Sequence, residues 1–152
     1  MGKSEVIDIL NELVVVNNDR IEGYETASEI SGEIELKNMF AEFAQTSHKC
    51  KRELMEVVLS LGGSMATGTK TTGKFFRAWI EVKSALIEKD RKTVLESCGY
   101  GEEKALETYR EAIREEAQHL TTEQQTIIGA QYASIKSDYE RLKSMNRTLE
   151  IA

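Results

Sequence analysis

The chain of 152 residues contains no proline. Because proline breaks helix interiors and is common in loops, its absence is typical of a chain that is mostly helix with few connections. Strong helix formers dominate the composition, whereas β-branched residues are scattered rather than clustered. These features predict one all-α domain that spans residues 1–152.

Long apolar runs and cysteines are also scarce. No run approaches the roughly 18 apolar residues that a membrane span needs, and no secretory signal is recognisable, so we expect no transmembrane segment. The only two cysteines, Cys50 and Cys98, fall on apolar helical stripes. This position predicts buried reduced thiols and a cytoplasmic location.

Basic charge is in deficit, since the net charge is -6. A protein that binds phosphate backbones needs a basic face, so we expect no nucleic-acid partner. No Ser/His/Asp or Cys/His arrangement for nucleophilic catalysis is visible. The chain is therefore interpreted as non-enzymatic.

Apolar residues spaced by three and four predict four long helices. The stripes that carry this spacing also include polar or aromatic residues: Asn17 and Tyr24 on the first helix, Ser47 on the second, Glu102 and Tyr109 on the third, and Gln131 and Asp138 on the fourth. The predicted ranges are about 4–30, 33–61, 90–116, and from 121 or 122 onward. Ser4, Asp90 and either Thr121 or Thr122 are the expected N-caps. Ser31-Gly32 should end the first helix, with Gly32 in a left-handed conformation, and Gly62-Gly63 should end the second.

Two tight connections make the first two and the last two long helices antiparallel hairpins. Residues 62–89 join the hairpins, and the spacing predicts a short extra helix over 75–88. This connection is too long for a turn and long enough to travel the length of a bundle. The fold is therefore predicted to be a ferritin-like four-helix bundle with one long crossover.

Two features of the crossover raise the question of whether it does more than join the two hairpins. The face formed by Phe75, Trp79 and Leu86 either packs over the bundle or forms a contact in a homo-oligomer. Residues 68–75, GTKTTGKF, nearly match a phosphate-binding loop. They lack its final Ser or Thr, and no buried strand precedes them, so we expect an exposed loop.

The apolar stripes of the long helices are interrupted by polar residues at about the same depth. Ferritin-like di-metal proteins offer one Glu from each of two helices and Glu-x-x-His from each of the other two at this depth. The candidate metal ligands are Glu22, Glu25, His48 and Glu102, and the candidate supporting residues are Asn18, Gln45, Tyr109 and Gln131. Carboxylate and imidazole ligands suit iron, manganese or zinc.

The same residues allow a second interpretation. Glutamine replaces carboxylate at Gln45 and Gln131, and Ser134 replaces a histidine, so the set is poorer in ligands than a full di-metal site. The amides can instead satisfy the carboxylates and Tyr109 in a hydrogen-bonded polar core. His48 lies one position off the apolar stripe, so its orientation would decide between a metal site and a polar core.

Six segments carry a resemblance that spans roughly residues 5–148. They are NNDRIEGYE, ETASEI, FAEFAQTSHKCKREL, RAWIEVKSAL, GYGEEKALETYREAI and AQYASIKSDYERL. The chain resembles an uncharacterised bacterial family of four-helix-bundle proteins, a domain of unknown function in the ferritin-like superfamily. The resemblance implies a ferritin-like fold. It implies neither an activity nor a full di-iron site.

Overall fold

The computed structural model of the chain describes the backbone of residues 2–68 and 74–151, and the side chains of residues 2–68 and 78–146. The described residues form five α-helices: α1 Lys3–Ile30, α2 Ile34–Ser60, α3 Lys74–Ile87, α4 Arg91–Arg114 and α5 Thr122–Ile151. A single 3₁₀ turn, Ala117–His119, precedes α5. The described part contains no strand, so the all-α prediction is confirmed. None of its helices combines the length and the apolar character that crossing a membrane requires.

Local sequence explains most of the helix ends. The Asp90 carboxylate accepts a hydrogen bond from the backbone N–H of Thr93 at 3.2 Å, which confirms it as the N-cap of α4. Before α5, Thr121 and Gln124 exchange side-chain-to-backbone hydrogen bonds of 3.0 and 3.1 Å, which is a capping box. Ser4 as an N-cap was wrong, because α1 begins at Lys3 and Gly2 precedes it.

The two predicted glycine stops behave differently. Gly62 adopts φ +80° directly after α2, as expected for a glycine that ends a helix. Gly32 has no positive φ, so its predicted left-handed conformation was wrong. The α1 helix ends instead at Ser31, whose extended backbone carries the chain into α2.

Long-range hydrogen bonds fix the helix directions. Lys37 bonds to Ser28 near the α1–α2 connection, and Asn11 bonds to Ser64 at the far end, so α1 and α2 are antiparallel. The pairs Tyr139–Glu103 and Tyr109–Gln131 show that α4 and α5 are also antiparallel. The pairs Asn17–Tyr109 and Arg20–Glu102 make α4 antiparallel to α1. Hence α2 and α4 run in the same direction, and the crossover must return the length of the bundle.

The crossover helix α3 covers the seam between α1 and α4. Trp79 lies directly on Gly23, where an added Cβ would come within 2.4 Å of the indole ring. Its ring contacts Tyr24 edge-on at a centroid distance of 4.8 Å. Leu86 packs against the same core. Phe75, the third residue of the predicted interface, lies outside the described side chains, so self-association through this face stays a prediction.

Two asparagines of α1 hold the start of the crossover. Asn11 donates to the carbonyl of Ser64 at 3.0 Å and accepts from the N–H of Ala66 at 2.8 Å. Seven residues along the helix, Asn18 donates to the carbonyl of Gly68 at 3.0 Å. Residues 69–73 lie outside the described residues. They make up most of the segment 68–75, which nearly matches a phosphate-binding loop.

The bundle core consists of two apolar clusters, one at each end. The first contains Leu10, Leu13, Val14, Leu54, Ala105 and Ile135, and the second contains Tyr24, Phe40, Phe43, Cys98 and Leu142. On every long helix, the segment between the two clusters carries a polar side chain. This central segment is the place at which the sequence predicted a functional site.

Candidate functional site in the bundle centre

A fully buried arginine lies between the two apolar clusters. Arg20 has 0% relative exposure and reaches from α1 toward the three other long helices. Its neighbours are Ser47 on α2, Glu102 on α4 and Asp138 on α5. We call these four residues the charged layer.

All the N–H groups of the Arg20 guanidinium have partners. Nε and Nη2 donate to the two carboxylate oxygens of Glu102 at 2.8 and 3.0 Å, in the bidentate geometry that fits a planar guanidinium. Nη2 also donates to Asp138 Oδ2 at 2.9 Å. Nη1 donates to Ser47 Oγ and to the Phe43 carbonyl. The guanidinium is thus completely hydrogen-bonded without water.

Burial and the attraction between opposite charges act against each other in this layer. Burial alone would lower the pKa of Arg20, but the attraction of Glu102, its hydrogen bond and Asp138 outweigh burial and raise that pKa. Burial raises the pKa of Asp138, and the nearby Arg20 only partly opposes the rise. Asp138 is the one member with some solvent contact, since its side chain is 16% exposed.

A second polar layer lies within the first apolar cluster. Tyr24 belongs to the second cluster, so this layer and Tyr24 lie on opposite sides of Arg20. Tyr109 accepts a hydrogen bond from Asn17 Nδ2 at 2.8 Å and donates to Gln131 Oε1 at 2.8 Å. Gln131 Nε2 in turn donates to the Cys50 carbonyl at 3.1 Å and to Glu53 Oε1 at 3.0 Å. We call Asn17, Tyr109 and Gln131 the amide–tyrosine layer. It also links all four long helices.

The structure does not bring the four predicted metal ligands together. Glu22 and Glu25 are exposed on α1, whereas Glu102 is fully buried and paired with Arg20. His48 is partly exposed, and its Nε2 lies 3.4 Å from Glu25 Oε2 at the bundle surface. Metal binding by this set stays a prediction, but His48 does not face the centre.

The predicted supporting residues divide into three groups. Tyr109 and Gln131 are buried in hydrogen-bonded positions, as the polar-core interpretation required. Asn18 is buried but binds the crossover rather than the central layer. Gln45 is exposed, so its expected place in the central layer was wrong. The apolar stripe of α2 passes through Ser47 instead, and Gln45 lies two positions off it.

Sequence reasoning missed Arg20. The spacing of the sequence does indicate that Arg20 is on the buried side of α1. Arg20 lies three residues after Asn17 and four before Tyr24, and both of these were on the predicted stripe of α1. Arginine is almost never fully buried unless it is paired, so the residue type alone favours an exposed position. The carboxylate of Glu102 was recognised, but its expected partner was either a metal ion or the amide groups of Gln45 and Gln131.

The donor set does not fit a ferritin-like di-metal centre. Both oxygens of Glu102 accept hydrogen bonds from Arg20, and a guanidinium carries the positive charge that a metal ion would bring. The described residues include no group of three or more His, Cys, Asp or Glu side chains arranged to hold a metal. The arrangement can hold four helices in register, and it keeps buried charges paired.

The buried thiols are poor nucleophiles. Burial raises the pKa of Cys50 to about 11, with Arg20 opposing the rise. Burial and the nearby Glu102 raise the pKa of Cys98 well above its ordinary value. Because the thiolate is the reactive form, both cysteines are unreactive in the folded protein at neutral pH.

Comparison with known proteins identifies the family. The family model described as "Domain of unknown function (DUF2383)" matches residues 5–115, and the chain belongs to this family. The matched residues include most of α1 and all of α2, α3 and α4 with the crossover. No curated protein matches the chain. Arg20, Ser47 and Glu102 lie within the matched residues, and Asp138 lies beyond them.

Proposed function

Starting from membership of this family, we propose that the chain is a non-enzymatic ferritin-like four-helix bundle, with a buried arginine–carboxylate network in place of a metal centre. The observation that carries the proposal is the position of the Arg20 guanidinium. It lies at the depth of the expected metal site, where it contacts all three other long helices. In this role the charged layer positions the four helices, and the protein acts through its surface.

The helix directions support the ferritin-like arrangement. The order around the bundle is α1, α2, α5 and α4, with antiparallel neighbours and a crossover that joins the parallel pair α2 and α4. A bundle of two hairpins joined by one long crossover is the ferritin-like connection. The short helix α3 fills the seam that the crossover follows.

The experiment is metal analysis of the purified full chain. The protein is incubated anaerobically with Fe(II), Mn(II) or Zn(II), desalted and analysed for each element. We expect no stoichiometric retention, because Arg20 already compensates Glu102. The same metals should leave the melting temperature unchanged, since a ligand stabilises a protein only when it binds the folded state preferentially.

An arginine variant makes this test sharper. In Arg20→Ala, the Glu102 and Asp138 carboxylates lose their common counter-charge, so a divalent cation should raise the melting temperature of the variant more than that of the wild type. Glu102→Gln in the same background should remove the effect. Retention of one or two ions per wild-type chain, lost on Glu102→Ala, would overturn the proposal.

A second candidate function is metal binding at the surface. It is favoured by the contact of His48 Nε2 with Glu25 Oε2 at 3.4 Å, which joins two of the four predicted ligands. Zinc is the metal that suits this imidazole–carboxylate pair best. If His48→Ala changes neither the zinc content nor the melting temperature in added zinc, this candidate is excluded.

A further inference from the structure

The crossover helix α3 takes part in neither polar layer. The two layers join α1, α2, α4 and α5 to one another, whereas α3 lies in the seam between α1 and α4. Among the described side chains of α3, Glu81 alone makes a hydrogen bond to another helix, which it accepts from Ser97 Oγ at 3.2 Å. The side chains of α3 that are buried in the seam are small or apolar: Ala78, Val82 and Ala85.

The length of α3 makes it dependent on this packing. It contains 14 residues. Isolated helices shorter than roughly 12–15 residues are only marginally stable in water. A copy of α3 that left the seam would therefore lose its helical structure as well as its contacts.

Two buried donors at the inner face of α3 make no hydrogen bond. The Nε1–H group of Trp79 has no acceptor, and neither does the hydroxyl of Tyr24, whose ring centre lies 4.8 Å from that of the indole. The Tyr24 hydroxyl lies near Glu102, but both oxygens of that carboxylate already accept hydrogen bonds from Arg20. A buried donor without an acceptor is costly. The packed position of α3 therefore carries a free-energy cost that contact with water would remove.

The turn from α3 to α4 adds backbone strain. Lys89 has φ +60°, a left-handed conformation that glycine usually provides at the end of a helix. The turn is closed by a hydrogen bond of 2.9 Å from the N–H of Asp90 to the carbonyl of Ala85. Because this bond needs the last turn of α3 to be helical, unfolding of α3 would release the strain.

Cys98 is the reactive group that α3 covers. It is fully buried in the apolar cluster that includes Val82 and Ala85 of α3. Its neighbours on α4 face α3, since Ser97 bonds to Glu81 and a Cβ at Gly101 would lie 3.9 Å from Ala78 Cβ. The other thiol, Cys50, lies on α2, where its backbone carbonyl accepts a hydrogen bond from Gln131 of α5.

We propose that α3 is a strap that leaves the seam and unfolds as a unit while the four long helices stay folded, and that this opening controls whether Cys98 can react. The packing on Gly23 and the apolar contacts close the strap, and the unpaired donors and the strained turn oppose closure. The strap is independent of the proposed function, because α3 belongs to neither polar layer.

The test is alkylation of both thiols of the wild-type chain with iodoacetamide, at a series of urea concentrations below the unfolding transition. Mass spectrometry of the digested protein gives the rate at each cysteine, which is divided by the rate of the same cysteine in the unfolded chain. Without urea, Cys98 should react at least about tenfold faster than Cys50 on this scale, because local opening costs less free energy than global unfolding. Urea should accelerate Cys98 less steeply, since opening exposes less surface. Equal normalised rates at every urea concentration would overturn the proposal.

A pair of glycine variants tests what closes the strap. The Cβ of Gly23→Ala would come within 2.4 Å of the Trp79 ring, so this variant should displace the ring and raise the rate at Cys98 roughly tenfold. Gly129→Ala makes the same change at an open position of α5 and should leave the rate at Cys98 unchanged. A wild-type rate at Cys98 in Gly23→Ala would contradict the proposal.

A third variant separates local opening from global unfolding. Ile135→Val removes a buried methylene group from the first apolar cluster, away from α3, and so destabilises the whole bundle. The rate at Cys50 should rise roughly fivefold, while the rate at Cys98 should stay the same, because the strap opens without disturbing Ile135. Equal rises at the two cysteines would mean that Cys98 reacts only when the whole bundle unfolds, and the strap would be rejected.

Discussion

The charged layer and the amide–tyrosine layer both link α1, α2, α4 and α5, but they lie in different surroundings. The charged layer separates the two apolar clusters, whereas the amide–tyrosine layer is enclosed in the first cluster. In the charged layer, every donor of Arg20 depends on an acceptor from another helix. In the amide–tyrosine layer, Asn17 also bonds to the Leu13 carbonyl of its own helix.

Because their surroundings differ, the two layers specify the fold to different degrees. A buried charge is tolerable only while its partners are in place, so the charged layer strongly disfavours any helix register that separates Arg20 from Glu102. A buried neutral amide or hydroxyl group that loses its partner lowers the free energy of unfolding by less than an unpaired buried charge does. We therefore expect the charged layer to dominate register, and the amide–tyrosine layer to contribute less.

The largest expected effect comes from removing the arginine. Arg20→Ala leaves the Glu102 carboxylate buried without a counter-charge and should lower the free energy of unfolding by about 3–5 kcal/mol. Urea denaturation at neutral pH measures this loss. The matched control is Arg141→Ala, which breaks the exposed pair with Glu42 and should cost less than about 1 kcal/mol.

A double variant distinguishes the free-energy cost of an unpaired buried charge from the cost of lost packing around Arg20. If unpaired charge causes most of the loss, Arg20→Met combined with Glu102→Leu should be more stable than Arg20→Met alone, because the pair is replaced by apolar side chains of similar volume. If the double variant is less stable than Arg20→Met alone, the loss reflects packing, and the contrast between the layers fails.

Much of this contrast could be predicted from the sequence, because helical periodicity identifies which positions are buried. The stripe on the third long helix, with Cys98, Glu102 and Tyr109, is buried as predicted. Gln131 and Ser47 were also on predicted stripes. Periodicity, however, cannot identify the partner of a buried polar group, since the partner comes from a residue distant in sequence.

The errors have the same cause. Glu22 and Glu25 were assigned to the centre by their depth along α1, but depth says nothing about the side of the helix on which a residue lies. Arg20 lies at the depth of the central layer and on the side of α1 that faces it. Only the position of Glu102 across the bundle shows why an arginine is buried there.

The next largest effect tests the amide–tyrosine layer. Tyr109→Phe leaves Gln131 Oε1 without its donor in a buried site and should lower the free energy of unfolding by about 1–3 kcal/mol. Urea denaturation again measures the change. Tyr132→Phe, which removes a hydroxyl with only a 3.4 Å contact to Arg110, should change stability by no more than about 0.5 kcal/mol. A loss in Tyr109→Phe as large as that in Arg20→Ala would remove the difference between the layers.

The smallest effect is a dependence on pH that only the charged layer should show. Burial raises the pKa of Asp138 above its ordinary 3.8, so the folded state binds this proton more tightly than the unfolded state. The contribution of Asp138 to stability is therefore greatest below 3.8 and falls as the pH rises through the raised pKa. Asp138→Asn cannot titrate, so the stability of the wild type relative to this variant should fall from acidic to neutral pH.

Urea denaturation of both proteins at a series of pH values measures this difference, and Tyr109→Phe is the control. Burial raises the pKa of Tyr109 well above its ordinary 10.0, so its hydroxyl stays protonated throughout and the difference from the wild type should be constant. If the wild type instead gains stability over Asp138→Asn as the pH rises, the attraction of Arg20 outweighs burial at Asp138. The charged layer would then hold its second carboxylate as firmly as it holds Glu102.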